Sequence, residues 1–155
     1  MEDLDPDQRH APHREPLQRV HTYSLFTPGD ASAPKVCRDF VGSVLLAREL
    51  AHLVAAATLC TSELVTNVHL HTKGEAMVRM LVRPWRVRVS VFDESSALPV
   101  PRQAGALECY GLGLGVVAAT ADLWGVVQDR GGRHAKGVWF ELGASAGGEG
   151  VGDRG

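Results

Sequence analysis

The chain has 155 residues and a formal net charge of -2, enough for one domain with a real core. This balance excludes bulk attraction to nucleic acid or to an anionic membrane. No uninterrupted apolar run reaches the roughly 20 residues that a bilayer span needs, and the acidic N-terminus lacks the apolar stretch of a signal peptide.

Residues 1–18 carry Pro, Asp, Arg and His with little apolar periodicity, and residues 144–155 are mostly Gly, Ala and charge. Such segments bury too little surface to offset their ordering entropy, so both are expected to be disordered tails around a folded domain over 19–143. The three cysteines, Cys37, Cys60 and Cys109, are scattered and odd in number. They read as buried small residues in a reducing, cytoplasmic setting. The chain lacks isoleucine and has a single asparagine, Asn67. That bias matches GC-rich coding and makes the one asparagine stand out.

In chain order, Val20–Phe26 has strand character and is broken by Thr27-Pro28-Gly29-Asp30. Asp30 or Ser32 can cap a helix with Pro34 in its first turn. That helix is expected over Ala33–Leu50, with Val36, Phe40, Val44 and Ala47 on its buried face. A second helix is expected over Leu53–His71. Its first half is apolar nearly all round, and Gly74 suits the left-handed position after it. Ala76–Val82 and Arg86–Phe92 read as strands around Pro84-Trp85, the second alternating strictly as in an antiparallel sheet. Residues 94–110 form a loop with two prolines, Pro99 and Pro101. A third helix is expected over Leu112–Ala121. Trp124–Gln128 and Val138–Leu142 read as a closing hairpin around Asp129-Arg130-Gly131-Gly132. The order predicts an α+β fold: a two-layer α/β sandwich, helices on one face of a mixed, mostly antiparallel sheet.

Glu63, Asn67 and His71 recur at i, i+4, i+8 and share one slowly turning helical stripe. Polar groups on a mostly apolar helix need polar partners. A solvent-facing edge would satisfy them, and so would a ligand. In the second case the Asn67 oxygen suits a hard cation such as Mg²⁺, and Glu63 is within a turn to accept a proton. Asp93 follows an alternating strand. It serves either as a turn former or as an acceptor for an exocyclic amino group. Gly111-Leu112-Gly113-Leu114-Gly115 opens a helix, where glycines let the backbone approach closely and free N–H groups suit phosphates. A Rossmann fingerprint fails on spacing and context. His69 and His71, two apart, point to different helix faces. Arg79, Arg83, Arg86 and Arg88 form a modest basic stripe that reads as a solvated sheet face.

The order of these motifs, SELVTNVHLH at Ser62–His71, VFDESSALP at Val91–Pro99, GLGLGVV at Gly111–Val117 and WG…KGVWFEL from Trp124 to Leu142, resembles the GHKL (Bergerat-fold) ATP-binding superfamily. Within it the chain is most similar to the short bacterial anti-sigma-factor serine/threonine kinases. The resemblance implies ATP and Mg²⁺ as cofactors, with Asn67 as the metal-binding asparagine and Glu63 as the general base. Asp93 would read the adenine amino group, and Gly111, Leu112, Gly113, Leu114 and Gly115 would close around the phosphates. It implies a sigma factor and an anti-anti-sigma antagonist protein as partners, no nucleic acid or membrane, and it is compatible with a homodimer. Three positions depart from the family pattern: Leu112 replaces an arginine, Ser95 a glycine, and Gly137 a threonine whose hydroxyl is expected near the adenine. The implied function is an anti-sigma kinase that phosphorylates its antagonist. The alternative is a catalytically weak or inactive module that sequesters a sigma factor or other regulator.

Overall fold

A computed structural model describes residues 19–72, 74–93, 112–128 and 136–143. Both expected tails, the loop over 94–110 with Ser95 and Cys109, Gly111 and the hairpin turn at 129–132 lie outside the described residues.

The chain order is β1 (His21–Thr27), α1 (Ala33–Ala47), a short 3-10 turn (Ala51–Leu53), α2 (Val54–Thr72), β2 (Ala76–Val82), β3 (Val87–Asp93), α3 (Leu112–Thr120), β4 (Leu123–Gln128) and β5 (Lys136–Leu142). Five strands form one sheet in the order β1-β2-β3-β5-β4. Every pairing in it is antiparallel. The helices cover one face, which makes the expected two-layer α+β sandwich, with a purely antiparallel sheet.

Strand alternation decides which residues meet the helices. Val78 and Met80 on β2, Val87, Val89 and Val91 on β3, and Val138, Phe140 and Leu142 on β5 are buried in the shared core. α1 contributes Ala33, Cys37, Val41 and Leu45, an i, i+4 row, while α2 contributes Ala57, Cys60, Leu64 and Val65. The buried face of α1 therefore differs from the expected one. Val36 is 45% exposed, Ala47 is exposed and Phe40 half-buried; of the expected set only Val44 is buried. α1 carries two neighbouring apolar rows, and the row of smaller residues is the one that fits against the sheet.

Helix ends show local chemistry that the sequence only partly announces. At the start of α1 the Asp30 carboxylate accepts the Ser32 backbone N–H at 2.8 Å. Hydrogen bonds from the Ser32 hydroxyl and N–H hold the Asp30 carboxyl below its usual range. α1 stops at Ala47, three residues before the expected Leu50, in a Schellman turn. The Leu50 N–H donates to the Leu45 carbonyl at 2.9 Å and the Glu49 N–H to Leu46 at 3.1 Å. Glu49 takes the left-handed position, φ 60°, where glycine is the usual residue. Gly74, expected to be left-handed, has no positive φ; its N–H is instead held by the Thr72 hydroxyl at 3.2 Å.

Residues Ala51–Thr72 are long and apolar enough, by length and composition, to cross a membrane. In this fold the stretch packs against the sheet and against both other helices. Ser62, Glu63, Asn67, His69 and His71 interrupt its apolar sequence.

The far face of the sheet holds three of the four arginines of the basic stripe. The Arg88 guanidinium lies 4.1 Å from the centre of the Trp139 ring, and Arg79 lies 5.7 Å from that of Phe92. Arg88 Nε and Arg86 Nη1 donate to the buried Glu141 carboxylate at 2.7 and 3.1 Å. Packing on rings and a shared carboxylate fixes these charges more firmly than a solvated face would.

Candidate functional site

The C-terminal half of α2 crosses the ends of β3 and β5 and leaves a cavity of about 50 Å³ between them, room for a few water molecules. Its walls are Leu64, Asn67, Val68, His71 and Thr72 from α2, Val91 and Asp93 from β3, and Lys136, Gly137 and Val138 from β5. Asn67 and Asp93, 26 positions apart in sequence, thus line the same cavity.

Asp93 reaches this place through sheet register. It is the last residue of β3, opposite Ala76 on one side and Lys136 on the other. Alternation turns it toward the helices, with Val91 and Val89, and it is only 7% exposed. Asn67 reaches it from above. Its amide nitrogen is buried and has no hydrogen-bond partner among the described residues. An orphaned buried donor costs about 1–3 kcal/mol, and such a group in a cavity wall is suited to an acceptor supplied by a ligand or water. The amide oxygen of the same side chain is a suitable ligand for a hard cation. These donors fit a magnesium–phosphate group.

The predicted stripe on α2 splits. Asn67 and His71 line the cavity, whereas Glu63 does not. At about 100° per residue, Glu63 lies well round the helix from Leu64 and Val68, the middle of the lining face. Its charge acts instead on Cys60, which also bonds to Thr120 of α3. Glu63 thus flanks the side of α2 that meets α3.

α3 runs antiparallel to α2. α2 leads into β2 at Ala76, the cavity end of the sheet, while α3 leads into β4 at Leu123, opposite Glu141 near the other end. The N-terminal turn of α3, with Gly113 and Gly115, therefore lies toward the cavity end. Leu114 is buried in the core, so its side chain is not available to a ligand. Gly115 is exposed, and an added β-carbon there would meet nothing within 4 Å. Glycine inside a helix costs about 1 kcal/mol relative to alanine; no packing constraint in the described residues requires it at 115. A close-approaching ligand would.

At Gly137, where the pattern this chain resembles has threonine, the backbone lines the cavity, whereas strand alternation directs any side chain to the far face. Gly137 sits opposite Phe92, and a β-carbon on it would come 2.7 Å from the Val91 carbonyl oxygen and 2.8 Å from Phe92 Cδ1. A hydroxyl at 137 would point to the far face. His71 lines the cavity with Asn67, as the shared stripe allows, whereas Lys136 is a lining residue that sequence reasoning missed. The i, i+4 relation to Asn67 was the available signal for His71. For Lys136, only the register opposite Asp93 reveals it.

Comparison with protein-family models and with curated proteins finds no match to this chain.

Proposed function

We propose that this domain holds Mg-ATP and acts as a regulatory protein kinase of the anti-sigma type, transferring phosphate to a serine or threonine of an antagonist protein. The observation that carries the nucleotide part is the buried Asn67 amide nitrogen, without a partner among the described residues, in the wall of a cavity shared with Asp93. In this reading Asn67 supplies an oxygen to the cation and Asp93 accepts from the adenine amino group. The glycine-opened start of α3 offers backbone N–H groups to the phosphates. The bound cation would neutralise phosphate charge, and positioning would supply most of the rate. The partners in this reading are a sigma factor and an anti-anti-sigma antagonist.

A second reading is favoured by one specific observation: Glu63, the candidate base, is not in the cavity lining. The domain would then bind nucleotide as a structural ligand and sequester a sigma factor or other regulator without turning it over.

Thermal shift with Mg-ATP tests the shared part, because a ligand of the folded state raises the melting temperature. The expected result is a rise for wild type and none for Asn67→Ala; no rise for wild type overturns both readings. Incubation with labelled ATP and candidate antagonists separates them. Under the kinase reading Glu63→Gln lowers transfer by roughly 10²–10⁴-fold with its thermal shift intact. Absence of transfer by wild type that still binds ATP leaves the sequestering module.

A further inference from the structure

The end of the sheet remote from the cavity holds a second concave site of different chemistry. β1 begins there at His21, opposite Val82, and the β2–β3 turn is closed by the Arg83 N–H donating to the Arg86 carbonyl at 2.8 Å. The C-terminal end of α1 lies alongside. Between them is a pocket of about 530 Å³ walled by Arg19, His21, Arg48, Glu49 and Arg83, with Ala47 and Pro84 as its apolar members. The volume is in the range of small-molecule sites, roughly 300–1,000 Å³. β2 spans the distance from Ala76 to Val82, so the two sites are about 20 Å apart at 3.3 Å per residue.

Three arginines line this pocket, and a guanidinium stays protonated at any ordinary pH. Arg86 and Arg88 are paired with Glu141, and Lys35 is paired with Asp39. By contrast Arg19, Arg48 and Arg83 make no side-chain hydrogen bond or ion pair among the described residues. One carboxylate, Glu49, stands in the lining against them. Several cations in one concave wall, without protein partners among the described residues, concentrate positive potential and suit planar oxyanions bound through two N–H groups at once.

We propose that this pocket binds a small polyanion, recognised through its phosphate or carboxylate oxyanions by Arg19, Arg48 and Arg83. The site is independent of the nucleotide cavity and of any reading of it.

The test is calorimetric titration with pyrophosphate and, separately, citrate, against sodium chloride at matched ionic strength. Saturable binding of either to wild type is expected, unchanged in Asn67→Ala and weakened roughly tenfold or more in Arg48→Gln/Arg83→Gln, since charge-assisted hydrogen bonds of this kind are strong. Binding of pyrophosphate alone identifies a phosphate ligand, of citrate alone a polycarboxylate, and of both a general oxyanion site. If the double variant does not fold, amide NMR shifts on adding pyrophosphate to wild type must centre on Arg48 and Arg83. The proposal is overturned by no binding of either probe at millimolar concentration, by equal binding in the folded double variant, by loss of binding in Asn67→Ala, or by NMR shifts centred elsewhere.

Discussion

The Phe92 ring occupies the space that a side chain at Gly137 would need, with Cδ1 2.8 Å from an added β-carbon. The two residues are cross-strand neighbours on the far face of the sheet, and a backbone oxygen, that of Val91, lies closer still at 2.7 Å. Gly137→Thr, which introduces the threonine of the pattern this chain resembles, is therefore expected to destabilise the fold by about 1–3 kcal/mol, the usual cost of overpacking. It should not strengthen nucleotide binding, because alternation directs the new hydroxyl away from the cavity. Denaturant unfolding and an ATP titration of the variant check both halves. Tighter ATP binding with unchanged stability would contradict the local geometry.

Asn67 has a stability consequence opposite to its functional one. Its buried amide nitrogen lacks a partner among the described residues, and replacing an unsatisfied polar group by an apolar one of similar shape removes the desolvation cost. Asn67→Leu is expected to stabilise the ligand-free protein by about 1 kcal/mol and to abolish the thermal shift given by Mg-ATP. Sites that trade stability for function behave in this way. A variant less stable than wild type without ligand would mean that the amide is held by something other than a ligand.

Burial raises the thiols of Cys37 and Cys60 to about 11 each. At pH 8 a thiol with that value is about one part in a thousand thiolate, and the thiolate is the nucleophile. Iodoacetamide should therefore leave both unmodified in the folded protein and modify both in urea, as peptide mass spectrometry can read. The same shifts carry a sign for stability. Above about pH 9 the unfolded thiols ionise while the folded ones stay neutral, so stability present below pH 9 declines as pH rises toward 11. A Cys37→Ala/Cys60→Ala variant should show a shallower decline over that window.

Much of this architecture is legible in the sequence because its periods are clean. Val87–Asp93 alternates, so strand, register face and the inward turn of Asp93 follow from the pleat. α2 shows its polar stripe against an apolar background. Three things were not legible. α1 carries two adjacent apolar rows, and which one is buried depends on the sheet beneath it, a tertiary fact. The separation of Glu63 from the cavity likewise depends on where α3 packs, since Glu63 and Asn67 are equivalent by spacing alone. The cavity wall contributed by Lys136 required strand pairing across more than 40 residues of chain, which no local pattern encodes.

Glu49 ends α1 in a conformation that suits glycine. With φ 60° its β-carbon is crowded against the backbone, a cost of roughly 1–2 kcal/mol for a residue other than glycine. Glycine there gives back part of that gain through the greater freedom of the unfolded chain, about 0.4–1 kcal/mol. The net expectation for Glu49→Gly is a stabilisation of about 0.5–1 kcal/mol, measured as a higher urea midpoint at constant slope. Glu49→Ala keeps the β-carbon and should leave the midpoint nearly unchanged, so the pair of variants separates backbone strain from the loss of charge. The charge has its own consequence, because Glu49 is the single carboxylate among the described lining of the arginine pocket. Removing it leaves three guanidinium groups unopposed. Both variants should bind pyrophosphate more tightly than wild type, and by the same factor. Equal tightening in the two variants, with only one of them stabilised, is the pattern that assigns strain to the left-handed turn and charge balance to the pocket.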